Sequence, residues 1–88
     1  LVASKTDNTV VITNGDGLIE WVNDAFVELT EYTFEEVKGR KPGSFLQGAD
    51  TNPEDVEAIR MNLKSKIPFY HEIYNYSKSG RGYWLAIN

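Results

Sequence analysis

The segment Gly39 to Arg60, which reads GRKPGSFLQGADTNPEDVEAIR, constrains the fold of this chain more than any other part of the sequence. It contains signals for the end of one helix and for the start of another. Just upstream, Thr33 and Glu36 have the spacing of a capping box, and Gly39 can adopt the left-handed conformation that ends a helix. We therefore predict a short helix that ends at Lys38.

A longer helix is predicted to begin after Asn52. The Asn52 side chain can accept hydrogen bonds from free helical N–H groups, and Pro53 suits the first helical position. Three apolar residues then recur at helical spacing and are expected to face the core: Val56, Ile59 and Leu63. Between the two helices, residues 42–48 are predicted to form little beyond a turn, from which Phe45 and Leu46 enter the core.

Two strands are predicted before this helical region. Residues 9–13 are rich in β-branched side chains, and the NGDG sequence at residues 14–17 tolerates the positive φ angles of a tight turn. Residues 18–22 then alternate apolar and polar side chains, as in the second strand of a hairpin. This alternation predicts that Ile19 and Trp21 share one face of that strand.

A second hairpin is predicted after the long helix. Residues 69–76 and 81–87 are rich in aromatic and β-branched residues, and the SKSG sequence at residues 77–80 turns the chain between them. A further short helix is predicted over about residues 25–32. The order of strands and helices predicts an α+β fold, with helices over one face of an antiparallel β-sheet.

Alternation in the second hairpin separates two faces. Ile73 and Asn75 are predicted to share one face, and Tyr83 and Leu85 to share a face of the last strand. Three aromatic side chains are expected on the outer face: Tyr74, Tyr76 and Trp84. A cluster of exposed aromatic side chains is a candidate interaction surface for a flanking helix or for a second copy of the chain.

Composition limits the classes of protein to which the chain can belong. Its 88 residues suffice for one domain, and the absence of cysteine excludes disulfides, thiolate metal sites and cysteine nucleophiles. A net charge of -4 without a cluster of lysine or arginine argues against a nucleic-acid partner. Because no apolar run is long enough to insert into a membrane, we expect a soluble domain.

The ends of the sequence suggest a piece of a longer protein. The chain starts at Leu1 without a methionine and stops at Asn88, within a strand-like run. Leu1 and Val2 are expected to belong to a helix that arrives from an upstream segment. No internal repeat or change of composition divides the chain, so we predict a single domain over residues 1–88.

No group of residues has the pattern of a catalytic centre or of a metal site. The sequence contains no nucleophile paired with a base and no phosphate-binding loop. His71 is the only histidine, and it is expected to pack or to make one hydrogen bond. The acidic residues near the start of the long helix are expected to interact with its dipole and with water: Asp50, Glu54, Asp55 and Glu57. We therefore predict no catalytic residue, no bound metal and no enzymatic activity in this domain.

Three short motifs resemble the PAS sensory-domain family, and specifically its flavin-binding light-oxygen-voltage branch. They are GR at residues 39–40, FLQG at residues 45–48 and NYSKSG at residues 75–80. The resemblance extends from about Thr6 to Asn88. It implies a PAS-like antiparallel sheet with one further strand between the first and last strands present here. Without that final strand, both neighbours keep an unpaired edge, which favours dimerisation or strand exchange.

The reactive cysteine of the light-oxygen-voltage branch, in the motif GRNCRFLQ, is absent here. Aligned backwards from Phe45, the cysteine position is Gly43. The neighbouring asparagine becomes Pro42, the phosphate-binding arginine becomes Ser44, and one residue is inserted after Arg40. Because the sequence contains no thiol, the covalent adduct between cysteine and photoexcited flavin cannot form in this chain.

Other flavin-binding positions of that branch are partly retained. The resemblance aligns Gln47 with a family glutamine, Arg60 with a second phosphate-binding arginine and Asn75 with an asparagine that hydrogen-bonds the pyrimidine edge of the ring. Leu85 replaces a second asparagine of this kind. Loss of one polar partner weakens binding, so flavin mononucleotide (FMN) is disfavoured. Alternatively, these residues are inherited scaffold groups. Haem is also disfavoured, because haem-binding relatives use a histidine on the long helix and this chain has none there.

The resemblance implies a cytoplasmic sensory and interaction module of a multidomain signal-transduction protein, such as a sensor histidine kinase or a cyclic-dinucleotide enzyme. Such a module binds a small ligand or a partner domain and relays the signal through its sheet to a flanking output domain. We expect a homodimer whose outer face transmits the signal. Two alternatives remain open: a sensor that binds flavin noncovalently, and a structural dimerisation domain with a filled core.

Overall fold

The computed structural model describes residues 8–87, so the predicted helix at Leu1 and Val2 lies outside the described residues. Two strands, a helical region and two further strands follow in the predicted order. In chain order the elements are β1 Val11–Thr13, β2 Ile19–Val22, α1 Asp24–Thr30, α2 Phe34–Val37, α3 Gly43–Leu46, α4 Pro53–Ser65, β3 His71–Tyr76 and β4 Gly82–Ile87. The predicted α+β class is confirmed.

The four strands form two antiparallel hairpins, β1 with β2 and β3 with β4. Within residues 8–87 no ladder of hydrogen bonds joins the two hairpins, which form two separate two-stranded sheets. The resemblance implies one further strand between β1 and β4, and such a strand would join the two hairpins into one sheet.

The helix signals near Gly39 have their predicted effects. The Glu36 N–H donates to Thr33 Oγ1 at 3.3 Å, and the Thr33 N–H donates to Glu36 Oε1 at 2.9 Å. Gly39 has a φ angle of 79°, in the left-handed region, directly after the C-cap residue Lys38. The capping box and the end of α2 are therefore confirmed.

The β1–β2 hairpin contains a bulge that the alternation of the sequence does not reveal. Ile12 lies opposite Trp21. Thr13 lies opposite Ile19, which leaves Glu20 as an additional residue in β2. Because an additional residue reverses the alternation of faces, Ile19 is only 2% exposed whereas Trp21 is 47% exposed. The prediction that these two residues share one face is wrong.

The segment between α2 and α4 contains a single helical turn, Gly43–Leu46. The Leu46 N–H donates to the Pro42 carbonyl at 3.1 Å, which closes the single helical turn of α3. A single helical turn agrees with the prediction that residues 42–48 form little beyond a turn. Leu46 is buried, and Phe45 packs against the core and meets Tyr32 edge to face, with ring centroids 4.9 Å apart. The predicted inward direction of Phe45 and Leu46 is confirmed.

Helix α4 begins as predicted but buries fewer residues than its periodicity suggests. Asn52 accepts a hydrogen bond from the Glu54 N–H at 2.8 Å, and Pro53 is the first helical residue. Ile59 is buried, but Leu63, one turn later, is 61% exposed, so the prediction that Leu63 faces the core is wrong. Helical spacing determines the direction of a side chain, but no element in the described part of the chain covers this last turn.

The main hydrophobic core lies between the first hairpin and the three short helices. Its buried side chains are Ile19, Val22, Phe26, Val37 and Leu46. Ile59 of α4 and Ile73 of β3 are buried outside this cluster. The second hairpin therefore has an inner face that is separate from the main core.

Candidate functional site

The inner face of the β3–β4 hairpin carries two polar side chains that lie opposite each other, Asn75 of β3 and Tyr83 of β4. Asn75 is 5% exposed. Among the described residues, neither Asn75 Oδ1 nor the buried Tyr83 hydroxyl oxygen has a hydrogen-bond partner. Burial raises the pKa of Tyr83 to about 12, so its hydroxyl stays protonated at neutral pH. We refer to Asn75 and Tyr83 as the inner polar pair.

Tyr83 is a site residue that the sequence reasoning missed. The alternation of the last strand does predict that Tyr83 and Leu85 share a face. Counting outward from the turn at residues 77–80 pairs Asn75 with Gly82, whereas the observed register pairs Asn75 with Tyr83. The missing information was therefore this register, together with the burial of the hydroxyl without a partner, which depends on elements distant in the sequence.

Leu85 and Ile73 extend the inner face beside the inner polar pair. They lie opposite each other in the ladder, with Ile73 buried and Leu85 half-buried. Both side chains are hydrocarbons and offer no hydrogen bond. A polar ring that contacts Asn75 would therefore meet an apolar surface at Leu85.

Gln47 is exposed and follows directly after α3. It lines an open cleft of about 210 Å³ together with Gly48, Thr51, Pro53, Val56 and Glu57. Asn75 and Leu85 do not line this cleft. The structure therefore does not bring Gln47 together with the inner face of the second hairpin.

Arg60 lies on the exposed side of α4, where it pairs with Glu57. The Arg60 Nε donates to Glu57 Oε1 at 3.1 Å, and the Arg60 Nη2 donates to Glu57 Oε2. The hydrogen bond from Arg60 lowers the pKa of Glu57. A phosphate group would have to compete with this carboxylate for the two donors of the guanidinium.

The residues present do not form a complete flavin site. Asn75 supplies one buried acceptor without a partner, which suits an N–H group on the edge of a ring. Leu85 cannot supply the second polar contact, and Gln47 and Arg60 are exposed. Of the four positions that the resemblance aligns with flavin contacts, only Asn75 is therefore buried with a hydrogen-bonding atom that has no partner among the described residues.

The outer face of the same hairpin carries the three aromatic residues predicted there. Tyr74 meets Trp84 and Tyr76 edge to face, with ring centroids 5.3 and 5.4 Å apart. Trp84 is 67% exposed, whereas the two tyrosines are half-buried. We refer to Tyr74, Tyr76 and Trp84 as the outer aromatic cluster.

The loop after α3 is attached to β3 through the outer aromatic cluster. The Asp50 N–H donates to the Tyr76 hydroxyl at 2.8 Å, and the Thr51 hydroxyl donates to the Tyr74 carbonyl at 2.6 Å. A Cβ atom added at Gly48 would lie 2.5 Å from the Tyr76 ring, so this close approach requires glycine. The end of the FLQG motif therefore packs directly against Tyr76.

The β3–β4 turn is bonded to the segment that follows α1. The Lys78 N–H donates to the Thr30 carbonyl at 2.8 Å, and the Ser79 N–H donates to the Glu31 carboxylate at 2.9 Å. The Lys78 ammonium group also pairs with the Glu36 carboxylate. These bonds hold the second hairpin against the part of the chain that contains the main core.

Acidification is expected to weaken the contact between Glu31 and the β3–β4 turn. Hydrogen bonds from Ser79 lower the pKa of Glu31 from its usual 4.5. Glu31 therefore stabilises the fold above that value, and this contribution is lost as the pH falls through the lowered pKa. Urea unfolding at pH 7 and pH 3 measures this effect. Glu31→Gln should lower the free energy of unfolding at pH 7, and its free energy of unfolding should differ less between pH 7 and pH 3 than that of the unchanged protein. An unchanged difference would contradict this contact.

His71 connects β3 to the first turn of α4. Its Nε2 lies 2.8 Å from Asp55 Oδ1, and both side chains are about a quarter exposed. The histidine thus makes one hydrogen bond to a neighbouring element. In residues 8–87 no group of three or more histidine, cysteine, aspartate and glutamate side chains could hold a metal ion. No helix in the same part of the chain is long and apolar enough to cross a membrane.

Comparison with known proteins gives one family match and a consistent set of relatives. The family profile described as "PAS domain" matches residues 7–88. The chain is 40% identical over 70 residues to Blue-light-activated histidine kinase 1 of Erythrobacter litoralis, and this alignment covers 80% of this chain and 19% of that protein. It is 41% identical over 69 residues to Phototropin-2 of Oryza sativa subsp. japonica, and this alignment covers 78% of this chain and 8% of that protein. The chain thus spans less than a fifth of either relative.

A solved structure shares both the fold and a third of the sequence. The LOV domain from Erythrobacter litoralis EL346 blue-light activated histidine kinase aligns with a TM-score of 0.76 and 33% identity, over 89% of this chain and 71% of that one.

Proposed function

Because this chain belongs to the PAS domain family, we propose that it is a cytoplasmic sensory and interaction module of a multidomain signal-transduction protein. It binds a small ligand at the inner face of the β3–β4 hairpin and relays the resulting change to a flanking output domain, for example a histidine kinase or a cyclic-dinucleotide enzyme. The outer aromatic cluster contacts that output domain or a second copy of the chain. Any catalytic activity resides in the output domain.

The observation that supports this proposal is the position of two contrasting surfaces on one hairpin. In β3, the buried Asn75 stands between Tyr74 and Tyr76 of the outer aromatic cluster. A ligand that binds two arrangements of the hairpin with different affinity shifts the population of those arrangements. Since both faces belong to the same strands, such a shift also changes the surface at Trp84.

Trp84→Ala is expected to uncouple ligand binding from output. The substitution removes a side chain that is 67% exposed and contacts Tyr74, and it leaves the inner polar pair in place. Couplings between sites are typically worth about 5- to 150-fold, so the ligand-dependent change in output should fall at least about fivefold. The measurement is the output activity of the full-length protein with and without ligand, alongside ligand binding by the variant.

Tyr70→Ala is the matched control for Trp84→Ala. Tyr70 is 61% exposed and precedes β3, but its hydroxyl bonds to Glu72 and its ring lies outside the outer aromatic cluster. We expect this variant to keep the ligand-dependent response. If Trp84→Ala keeps the full response, the outer face is not the route of the signal.

A sensor that binds flavin noncovalently is the second candidate function. It is supported by the unpartnered oxygen of Asn75 and by the names of the relatives, which describe blue-light-activated histidine kinases. A visible absorption spectrum of freshly purified protein, followed by denaturation and mass spectrometry of the released molecules, distinguishes the two candidates. A flavin band would favour this second one.

A further inference from the structure

The loop between α2 and α3 concentrates positive charge on an acidic chain. Residues 38–41 read KGRK, and the three cations Lys38, Arg40 and Lys41 are all exposed. The net charge of the chain is -4 although these residues contribute three positive charges, so the remaining residues carry a net charge of -7. This run is a small exception to the absence of basic clusters elsewhere in the sequence. We refer to residues 38–41 as the basic loop.

The cations of the basic loop have no carboxylate partner in the described part of the chain. The ion pairs there join other residues: Arg60 with Glu57, His71 with Asp55, and Lys78 with Glu36. Glu36 precedes Lys38 by only two residues, but its carboxylate pairs with Lys78 and accepts from the Thr33 N–H. The positive charge of the basic loop therefore remains available to a partner.

Backbone hydrogen bonds hold the basic loop against the first hairpin. The Gly39 N–H donates to the Ile19 carbonyl at 2.9 Å, and the Ile19 N–H donates to the Arg40 carbonyl at 2.9 Å. The Arg40 N–H also donates to the Val37 carbonyl at 3.0 Å. Because Ile19 and Val37 are buried in the main core, the backbone of the loop is ordered before a partner binds. Such order lowers the entropic cost of association.

Aromatic rings restrain two of the cationic side chains. The Arg40 guanidinium carbon lies 4.5 Å from the centroid of the Phe45 ring, and the Lys38 ammonium lies 5.9 Å from that of the Phe34 ring. Arg40 Nη1 donates to the Glu36 carbonyl at 3.4 Å, which leaves other N–H groups of the guanidinium without a partner in residues 8–87. The basic loop thus carries restrained donors of the kind that bind carboxylates.

We propose that the basic loop is a docking site for an acidic segment of a partner protein or of another domain, whose carboxylates pair with Lys38, Arg40 and Lys41. A nucleic acid or an anionic membrane fits less well, because either would extend beyond the loop and meet the negative charge of the remaining residues. Two copies that met loop to loop would oppose like charges. The site shares no residue with the inner polar pair or the outer aromatic cluster, so the inference goes beyond the proposed sensory function.

The probe is fluorescein-labelled hexaglutamate, and its binding to the purified protein is followed by fluorescence anisotropy. We expect Lys38→Ala combined with Lys41→Ala to weaken binding by about 2- to 30-fold, which is the combined effect of two exposed ion pairs. Added salt should weaken binding to the unchanged protein, because it screens exposed charges. Absence of binding by the unchanged protein, or equal binding by the double variant, would overturn the proposal.

Lys64→Ala combined with Lys66→Ala is the matched control. It removes the same charge from two exposed lysines at the end of α4, outside the basic loop. The affinity for hexaglutamate should stay close to that of the unchanged protein. Equal losses in both double variants would mean that the probe responds only to net charge, and the inference would be wrong. Both double variants should unfold close to the temperature of the unchanged protein, because the substituted side chains are exposed.

A short DNA duplex and vesicles that contain phosphatidylserine test the class of partner. Both should bind more weakly than hexaglutamate, because the acidic remainder of the chain repels an extended polyanion. If either binds more tightly, and that binding depends on Lys38 and Lys41, the inference of an acidic protein segment is wrong. If hexaglutamate binding depends on the basic loop while Trp84→Ala leaves output unchanged, the inference stands and the outer-face route of the sensory signal fails.

Discussion

Phe26→Ala is expected to lower the free energy of unfolding by about 3–5 kcal/mol. Phe26 is 1% exposed and belongs to the main core together with Ile19 and Val37. Its truncation removes a ring from contact with these side chains and leaves a cavity that they can fill only in part. Because domains of this kind are stable by only about 5–15 kcal/mol, the variant should be close to unfolding at room temperature.

Chemical denaturation followed by circular dichroism measures this effect, with Leu63→Ala as the control. Leu63 is also apolar and lies on a face that its periodicity predicts to be buried, but it is 61% exposed. Its truncation should change the free energy of unfolding by no more than about 0.5 kcal/mol. Similar losses for Phe26→Ala and Leu63→Ala would contradict the arrangement of the core described above.

Gly48→Ala is expected to lower the free energy of unfolding by about 1–3 kcal/mol. The added Cβ would lie 2.5 Å from two carbon atoms of the Tyr76 ring, so the ring or the loop must move. Either movement weakens the 2.8 Å hydrogen bond from the Asp50 N–H to the Tyr76 hydroxyl. Because Tyr76 also packs on Tyr74, the displacement should extend into the outer aromatic cluster.

A double-mutant cycle isolates this contact. In the background of Tyr76→Ala, the ring is absent and Gly48→Ala should cost much less than it does in the unchanged protein. Gly15→Ala is the matched glycine control, because a Cβ at Gly15 meets no atom within 4 Å. Additive losses for Gly48→Ala and Tyr76→Ala would mean that the loop and the ring do not pack together in solution.

The main core and the inner face of the second hairpin differ in a way that tests the alternative of a purely structural dimerisation domain with a filled core. The main core around Phe26 and Val37 is apolar and well buried, as that reading requires. The inner face of the second hairpin, however, retains the unsatisfied groups of Asn75 and Tyr83. Polar groups that lower the stability of the fold and make no compensating contact are typical of functional sites. This contrast favours a ligand-binding role for the second hairpin.

Much of the candidate site followed from residues that are close together in the sequence. The second hairpin pairs without a bulge, so simple alternation correctly separated Tyr74, Tyr76 and Trp84 from Asn75. The resemblance also identified Asn75 as a polar group that faces a ligand. Its unsatisfied oxygen agrees with that expectation, while its role in binding remains a prediction.

Local signals in the sequence predicted the class of the fold, the order of its elements and the ends of its helices. The capping box at Thr33 and the Asn52-Pro53 start of α4 depend on hydrogen bonds and backbone preferences within a few residues. Such local interactions are encoded directly by neighbouring side chains. These interactions therefore depend little on the rest of the chain.

Contacts between distant segments establish which of these side chains are covered and which distant groups meet. The bulge at Glu20 exposes Trp21, and the absence of a covering element in the described part exposes Leu63. In the same way, the contact of Gly48 with Tyr76 and the buried hydroxyl of Tyr83 arise from segments far apart in the sequence. The periodicity of one segment determines where its side chains point, but burial and hydrogen bonding depend on the atoms that other segments place there.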